Sequence, residues 1–126
     1  MFRYLFTIAI FLLTANSWSA SHHPQVFLTE ITGSKTEGEQ IVQHYCALCH
    51  AKKPMIQLGA PIIGQAKAWE PRIKQGIDAL LKNCDEGLSG MPPRGGCFEC
   101  SDKQLWLAIM AMIPEDLHAK ITVKGS

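Results

Sequence analysis

The chain has 126 residues, with 12 Lys and Arg against 11 Asp and Glu, and five cysteines. That length allows one small domain and little more. A balance this close to neutral argues against nucleic acid as a partner, because phosphate binding needs a clear basic excess.

The first element reads as a signal peptide over residues 1–19. Met1 to Arg3 form a short positive start, Tyr4 to Ala15 an apolar run, and Ser17 and Ser19 suit a cut after Ser19. An uncleaved anchor, attaching the protein to the inner membrane, is the alternative, although the run is short for a full span. Either way the expectation is export to the periplasm. The remaining chain, about 105 residues, lies near the lower end for a self-sufficient core, so a bound cofactor or a disulfide would help it. Export makes disulfides permissible.

Residues 20–35 read as an N-terminal tail or linker, broken by Pro24 and Gly33. The main domain is expected over 36–113. Thr36 to Glu39 fits a capping box that opens a helix running through Ile41, Val42 and Tyr45 to the first cysteines. Gly38, Val42 and Cys46 are spaced by four and share one face in a regular helix. Residues 51–64 carry Pro54, Gly59, Pro61 and Gly64, which is loop chemistry. A helix is predicted from Ala66 to Gln75. Another follows from Ile77 to Glu86, where Ile77, Leu80, Leu81 and Cys84 form an apolar stripe and Gly87 stands at the stop. Residues 87–100 form a Gly- and Pro-rich loop. Ser101 and Gln104 make a capping box for a last helix with Leu105, Trp106 and Ile109 as its buried side, ended by Pro114. Residues 114–126 read as a C-terminal tail. No convincing strand pattern is present, so the fold class is all-α, with about four or five short helices.

The motif that carries chemistry is Cys46-Ala47-Leu48-Cys49-His50. Two thiols separated by two residues can each add to one haem vinyl group, and the histidine that follows is carried under the ring to bind iron. Two rival readings remain. Cys46 and Cys49 could pair with Cys97 and Cys100 around zinc, although the spacer is long for a zinc ribbon. A thiol–disulfide site is the other, but such a pair opens a helix in an α/β fold, and here it closes an apolar helix. A haem would need a sixth ligand from its far side. Met55 lies too close to His50 in sequence, and Met110 and Met112 suit core packing. Met91, 41 residues beyond His50 in a loop stiffened by Pro92 and Pro93, is the favoured candidate. His22, His23, His44 and His118 are the fallbacks.

Four segments together resemble the cytochrome c5 family of class I c-type cytochromes, over about residues 36–113. They are C-A-L-C-H at 46–50, G-A-P-I-I-G at 59–64, A-W-E-P-R-I-K-Q-G at 68–76 and M-P-P-R-G-G-C-F-E-C-S-D at 91–102. The resemblance implies a class I cytochrome c fold around one covalent haem c. Cys46 and Cys49 would hold it by thioethers, and His50 and Met91 would be the axial metal ligands. The Pro61 carbonyl would bond to the other imidazole nitrogen of His50. Cys97 and Cys100 would form a disulfide, which over so small a loop contributes about 2 kcal/mol. Gly38 and Val42 would meet Leu105, Trp106 and Ile109 where the first and last helices cross.

The implied role is a one-electron carrier between redox proteins, with a reductase or another cytochrome as donor and an acceptor such as a terminal oxidase. No catalytic residue is expected. A haem enzyme or gas-binding domain with a labile Met91 is the alternative. Trp69 and Arg72 are candidates to pack near the haem. Lys52, Lys53, Lys67, Lys74, Arg94 and Lys103 are candidates for a basic rim. Cys84 is the odd cysteine, placed by its stripe as a small buried hydrophobe.

Overall fold

The computed structural model describes residues 23–121, so the expected signal peptide or anchor at 1–19, and His22, lie outside the described residues. The helices are α1 (Pro24–Ile31), α2 (Glu37–Ile41), α3 (Ala47–His50), α4 (Ala66–Ile73), α5 (Ile77–Glu86), α6 (Asp102–Met112) and α7 (Glu115–His118). A π-turn, Val42–Cys46, joins α2 to α3, and a 3-10 turn spans Pro93–Gly96. Among the described residues there is no named strand, only an isolated bridge between Leu88 and Met91. None of the described helices is long and apolar enough to cross a membrane.

The segment expected as a tail is instead a helix. Pro24 occupies the first turn of α1, where its missing N–H costs nothing. Leu28 and Ile31, one turn apart, enter the core. Gln104 of α6 reaches back to the Leu28 carbonyl and the Thr32 hydroxyl, each at 3.4 Å, and ties α1 to the body. At the other end, Leu117 of α7 is also buried, in a stretch read as tail.

The Thr36–Glu39 capping box does not form. The carboxylate of Glu37 accepts from the Gly33 N–H at 2.8 Å, and the Thr36 hydroxyl accepts from Gln40 at 3.1 Å. The second expected box is present: Ser101 and Gln104 exchange bonds of 2.9 and 3.2 Å at the start of α6. Both ends of α5 fall at glycines with positive φ, Gly76 (88°) and Gly87 (80°), a conformation that costs other residues more.

The central packing is α2 against α6. A side chain at Gly38 would collide with the Leu107 carbonyl oxygen and sit 2.8 Å from its carbon. The absent Cβ is what lets the two backbones touch. The helices therefore cross at Leu107 and Ala111. Leu105 and Ile109 are buried as expected, but Trp106 is 40% exposed and belongs to the outer face. Ala108 and Met112 complete the inner face.

Candidate functional site

The π-turn sits directly before the cysteine pair. The Ala47 N–H bonds to the Val42 carbonyl, five residues back, and this wider turn shifts the phase of the helix that follows. Such turns recur at functional sites. Here it ends in Cys46 and hands over to α3, which carries Cys49 and His50.

His50 is buried, and its Nδ1 lies 2.8 Å from the Pro61 carbonyl oxygen. A carbonyl only accepts, so Nδ1 carries the proton, and in the neutral imidazole the lone pair rests on Nε2. The loop that supplies Pro61 is pinned just beyond it by two backbone bonds. The Ile63 N–H donates to the His50 carbonyl (2.8 Å), and the Gly64 N–H donates to the Met112 carbonyl (2.9 Å). Trp69, in α4, donates its indole N–H to the Ile62 carbonyl (2.9 Å) and lies nearly parallel to the His50 ring at 6.4 Å. Trp69 is thus a buried core residue that also lines the cavity beside His50.

A cavity of about 660 Å³ opens beside His50. Cys49, His50, Trp69, Arg72, Cys84 and Met91 are among the residues that line it. Binding clefts typically measure about 300–1,000 Å³. A smaller recess of about 40 Å³ brings Cys46 and Tyr45 to the same Cys49, His50 and Met91. The structure thus gathers Cys49, His50, Pro61 and Met91 about the larger cavity, with Cys46 in the adjoining recess that shares Cys49, His50 and Met91.

Met91 is held by its backbone. Its N–H donates to the Leu88 carbonyl (3.0 Å), and its own carbonyl accepts from the Leu88 N–H (3.1 Å). Of the other methionines, Met55 is 85% exposed, while Met112 is buried in α6 and also lines the cavity. Two of the histidine fallbacks, His118 and His44, are otherwise engaged. His118 Nε2 lies 2.9 Å from the Ile113 carbonyl, and His44 stacks on Phe27 at 4.4 Å on the outer side.

The cysteines divide into two kinds. Cys97 and Cys100 are joined in a disulfide, which removes half of the thiols a zinc site would need. Cys46, Cys49 and Cys84 are free. Burial first, then Cys84 and Cys49, push the Cys46 thiol up to about 12. Burial also raises Cys84, against the opposing pull of Arg94. Cys84 is buried on α5, as its stripe implied.

Two buried polar atoms near this space, Tyr45 Oη and Arg94 Nε, have no hydrogen-bond partner among the described residues. Arg94 is a correction to the expected basic rim: its guanidinium is committed to Asp85, Asp102 and the Cys100 carbonyl. Lys52, Lys53, Lys67, Lys74 and Lys103 are exposed. The walls Leu58 and Asn83 come from a loop and a helix face with no motif to mark them. The space suits a haem: it is large, mainly apolar, edged by free thiols, and lined by an imidazole and a thioether.

Comparison with known proteins agrees. The family model described as "Cytochrome C oxidase, cbb3-type, subunit III" matches residues 33–110. Cytochrome c5 of Azotobacter vinelandii is 40% identical over 82 residues, covering 64% of this chain and 95% of that protein. Cytochrome c5 of Ectopseudomonas mendocina is 37% identical over 82 residues, covering 64% and 91%. Cytochrome c-555 of Chlorobaculum tepidum is 38% identical over 72 residues, covering 54% and 64%. A chain of the solved "Crystal structure of electron transfer complex of nitrite reductase with cytochrome c" shares 37% identity at a TM-score of 0.54, over 60% of this chain and 89% of that one. On sequence, fold and site geometry together, the chain belongs to the c-type cytochromes, in the cytochrome c5 family.

Proposed function

We propose that this chain holds one haem c through thioethers at Cys46 and Cys49, between His50 and Met91, and carries single electrons between redox proteins of the periplasm. The observation that carries the reading is the bond from His50 Nδ1 to the Pro61 carbonyl. It leaves the Nε2 lone pair for the cavity that Met91 also lines.

The bound haem supplies the one-electron change between Fe(III) and Fe(II). The chain's part is to orient and enclose. Pro61 fixes the imidazole tautomer and ring direction. The paired bonds to Leu88 hold the Met91 backbone in place. Trp69, Leu80, Ile109 and Met112 line an apolar wall that limits water. His50 and Met91 would both hold the iron, which would leave no iron site for substrate and supports a carrier rather than an enzyme. Exposed Leu58 and Leu88 border the cavity, where a small, quickly released contact with a redox partner suits electron exchange. One similar chain was solved in a complex with nitrite reductase, and that supports a redox protein as partner in kind.

The test is mass spectrometry of the exported protein joined to a potentiometric titration. The reading predicts one haem mass on the peptide containing Cys46 and Cys49, and a single one-electron step. Alkylatable thiols at Cys46 and Cys49 in protein made with working haem-attachment machinery would contradict it.

A further inference from the structure

Arg94 lies three residues beyond Met91 and adopts a left-handed backbone (φ 56°, ψ 20°). A non-glycine residue is strained there, and such strain persists only where the surroundings over-determine it. Here they do. The guanidinium bonds to Asp85 near the end of α5, to the Cys100 carbonyl in the disulfide turn (2.6 Å), and to Asp102 at the start of α6 (3.1 Å). One side chain thus ties the 3-10 turn to two helices and to the disulfide. A planar fork of several donors can do this, and a lysine ammonium cannot do it in the same geometry.

The far side of the same loop is clamped as well. A side chain at Gly87 would meet the Met91 carbonyl oxygen at 2.7 Å and the Pro93 nitrogen at 2.9 Å, so α5 ends directly against the loop. A Cβ built at Gly95 would lie 3.6 Å from the Met91 terminal methyl, which places the turn held by Arg94 beside the Met91 side chain. We propose that Arg94 is the positioning residue that keeps Met91 seated, by locking the Pro93–Gly96 turn against α5 and α6. The assignment rests on the reading of Met91 as an axial ligand.

The test compares haem-loaded wild type, Arg94→Ala, Arg94→Lys and Met91→Ala proteins. It reads the Met–iron absorption band, carbon monoxide uptake and cooperative unfolding. Arg94→Lys keeps the charge on a side chain that is 21% exposed, so it serves if Arg94→Ala does not accumulate. Both variants should shift the Met-bound to Met-free ratio roughly tenfold or more, the scale of one lost charge-assisted hydrogen bond, and take up carbon monoxide while still unfolding cooperatively. A variant that loses only stability, with its band and carbon monoxide exclusion intact, would overturn the positioning role. A Met91→Ala protein with the band unchanged would remove the ligand assignment itself, and the role of Arg94 with it.

Discussion

His50 Nδ1 and the Pro61 carbonyl oxygen meet at 2.8 Å across an 11-residue separation, and the loop between them forms one wall of the site. The indole of Trp69 secures the same loop one residue on, at the Ile62 carbonyl. Trp69→Phe keeps a ring near His50 but removes one of the two bonds to that carbonyl, leaving the 3.2 Å bond donated by the Gln65 N–H. The expected cost is about 0.5–1.5 kcal/mol in denaturant unfolding of the haem-loaded protein, the net worth of one hydrogen bond. The low-spin spectrum should be retained, because the Pro61 bond remains.

Gly38→Ala should be costly for a different reason. The added methyl meets the Leu107 backbone, which cannot rotate away as a side chain would. Overpacking of this kind costs about 1–3 kcal/mol, and the upper end applies where backbone must move. Thermal unfolding of the two haem-loaded proteins measures it. Ala111→Gly should not restore the loss, since the closest obstruction is the carbonyl of Leu107.

Cys84 predicts a pH dependence. Burial raises its thiol above the ordinary range, so the folded state disfavours the thiolate. The unfolded thiol titrates near about 8.5. Cys84 therefore adds stability that is fully present below that pH and is lost as pH rises through the folded value. The haem-loaded protein should weaken above about pH 8.5, and Cys84→Ala should flatten that fall. Alkylation at neutral pH should be slow until the protein unfolds, when mass spectrometry should find one modified thiol. Fast labelling of Cys84 in the native protein would contradict its buried, protonated state.

Removing the Cys97–Cys100 disulfide by a double change to Ala should cost about 2 kcal/mol from loop closure alone. Both cysteines are buried, so lost packing adds to that figure. Chemical denaturation of the double variant provides the measurement. A protein of unchanged stability would show that the Cys97–Cys100 link adds nothing to the fold.

Much of this was legible where local chemistry decides the outcome. Gly76 and Gly87 bracket α5, and Ser101 with Gln104 caps α6, because those preferences act within a few residues. The C-A-L-C-H motif marks one side of the site for the same reason. Helix α1 was hidden because Pro24 reads as a breaker when it stands at a helix start, yet Leu28 and Ile31 already showed helical spacing. The π-turn leaves no mark in composition, since it is a shift of hydrogen-bond register. Trp106 was misplaced because α6 presents Leu105, Ala108, Ile109 and Met112 inward and turns the indole out. The bonds of Arg94 depend on Asp85 and Asp102, which only the tertiary fold brings together.

The most direct test of the central claim is the visible spectrum of the exported protein, oxidised and then reduced, with carbon monoxide added to the reduced form. The account predicts a low-spin c-type spectrum, a Met–iron band when oxidised, and no carbon monoxide uptake. A high-spin or readily ligated haem would contradict the closed His50/Met91 site and point to ligand chemistry, and a colourless protein made with working haem-attachment machinery would contradict the cytochrome itself.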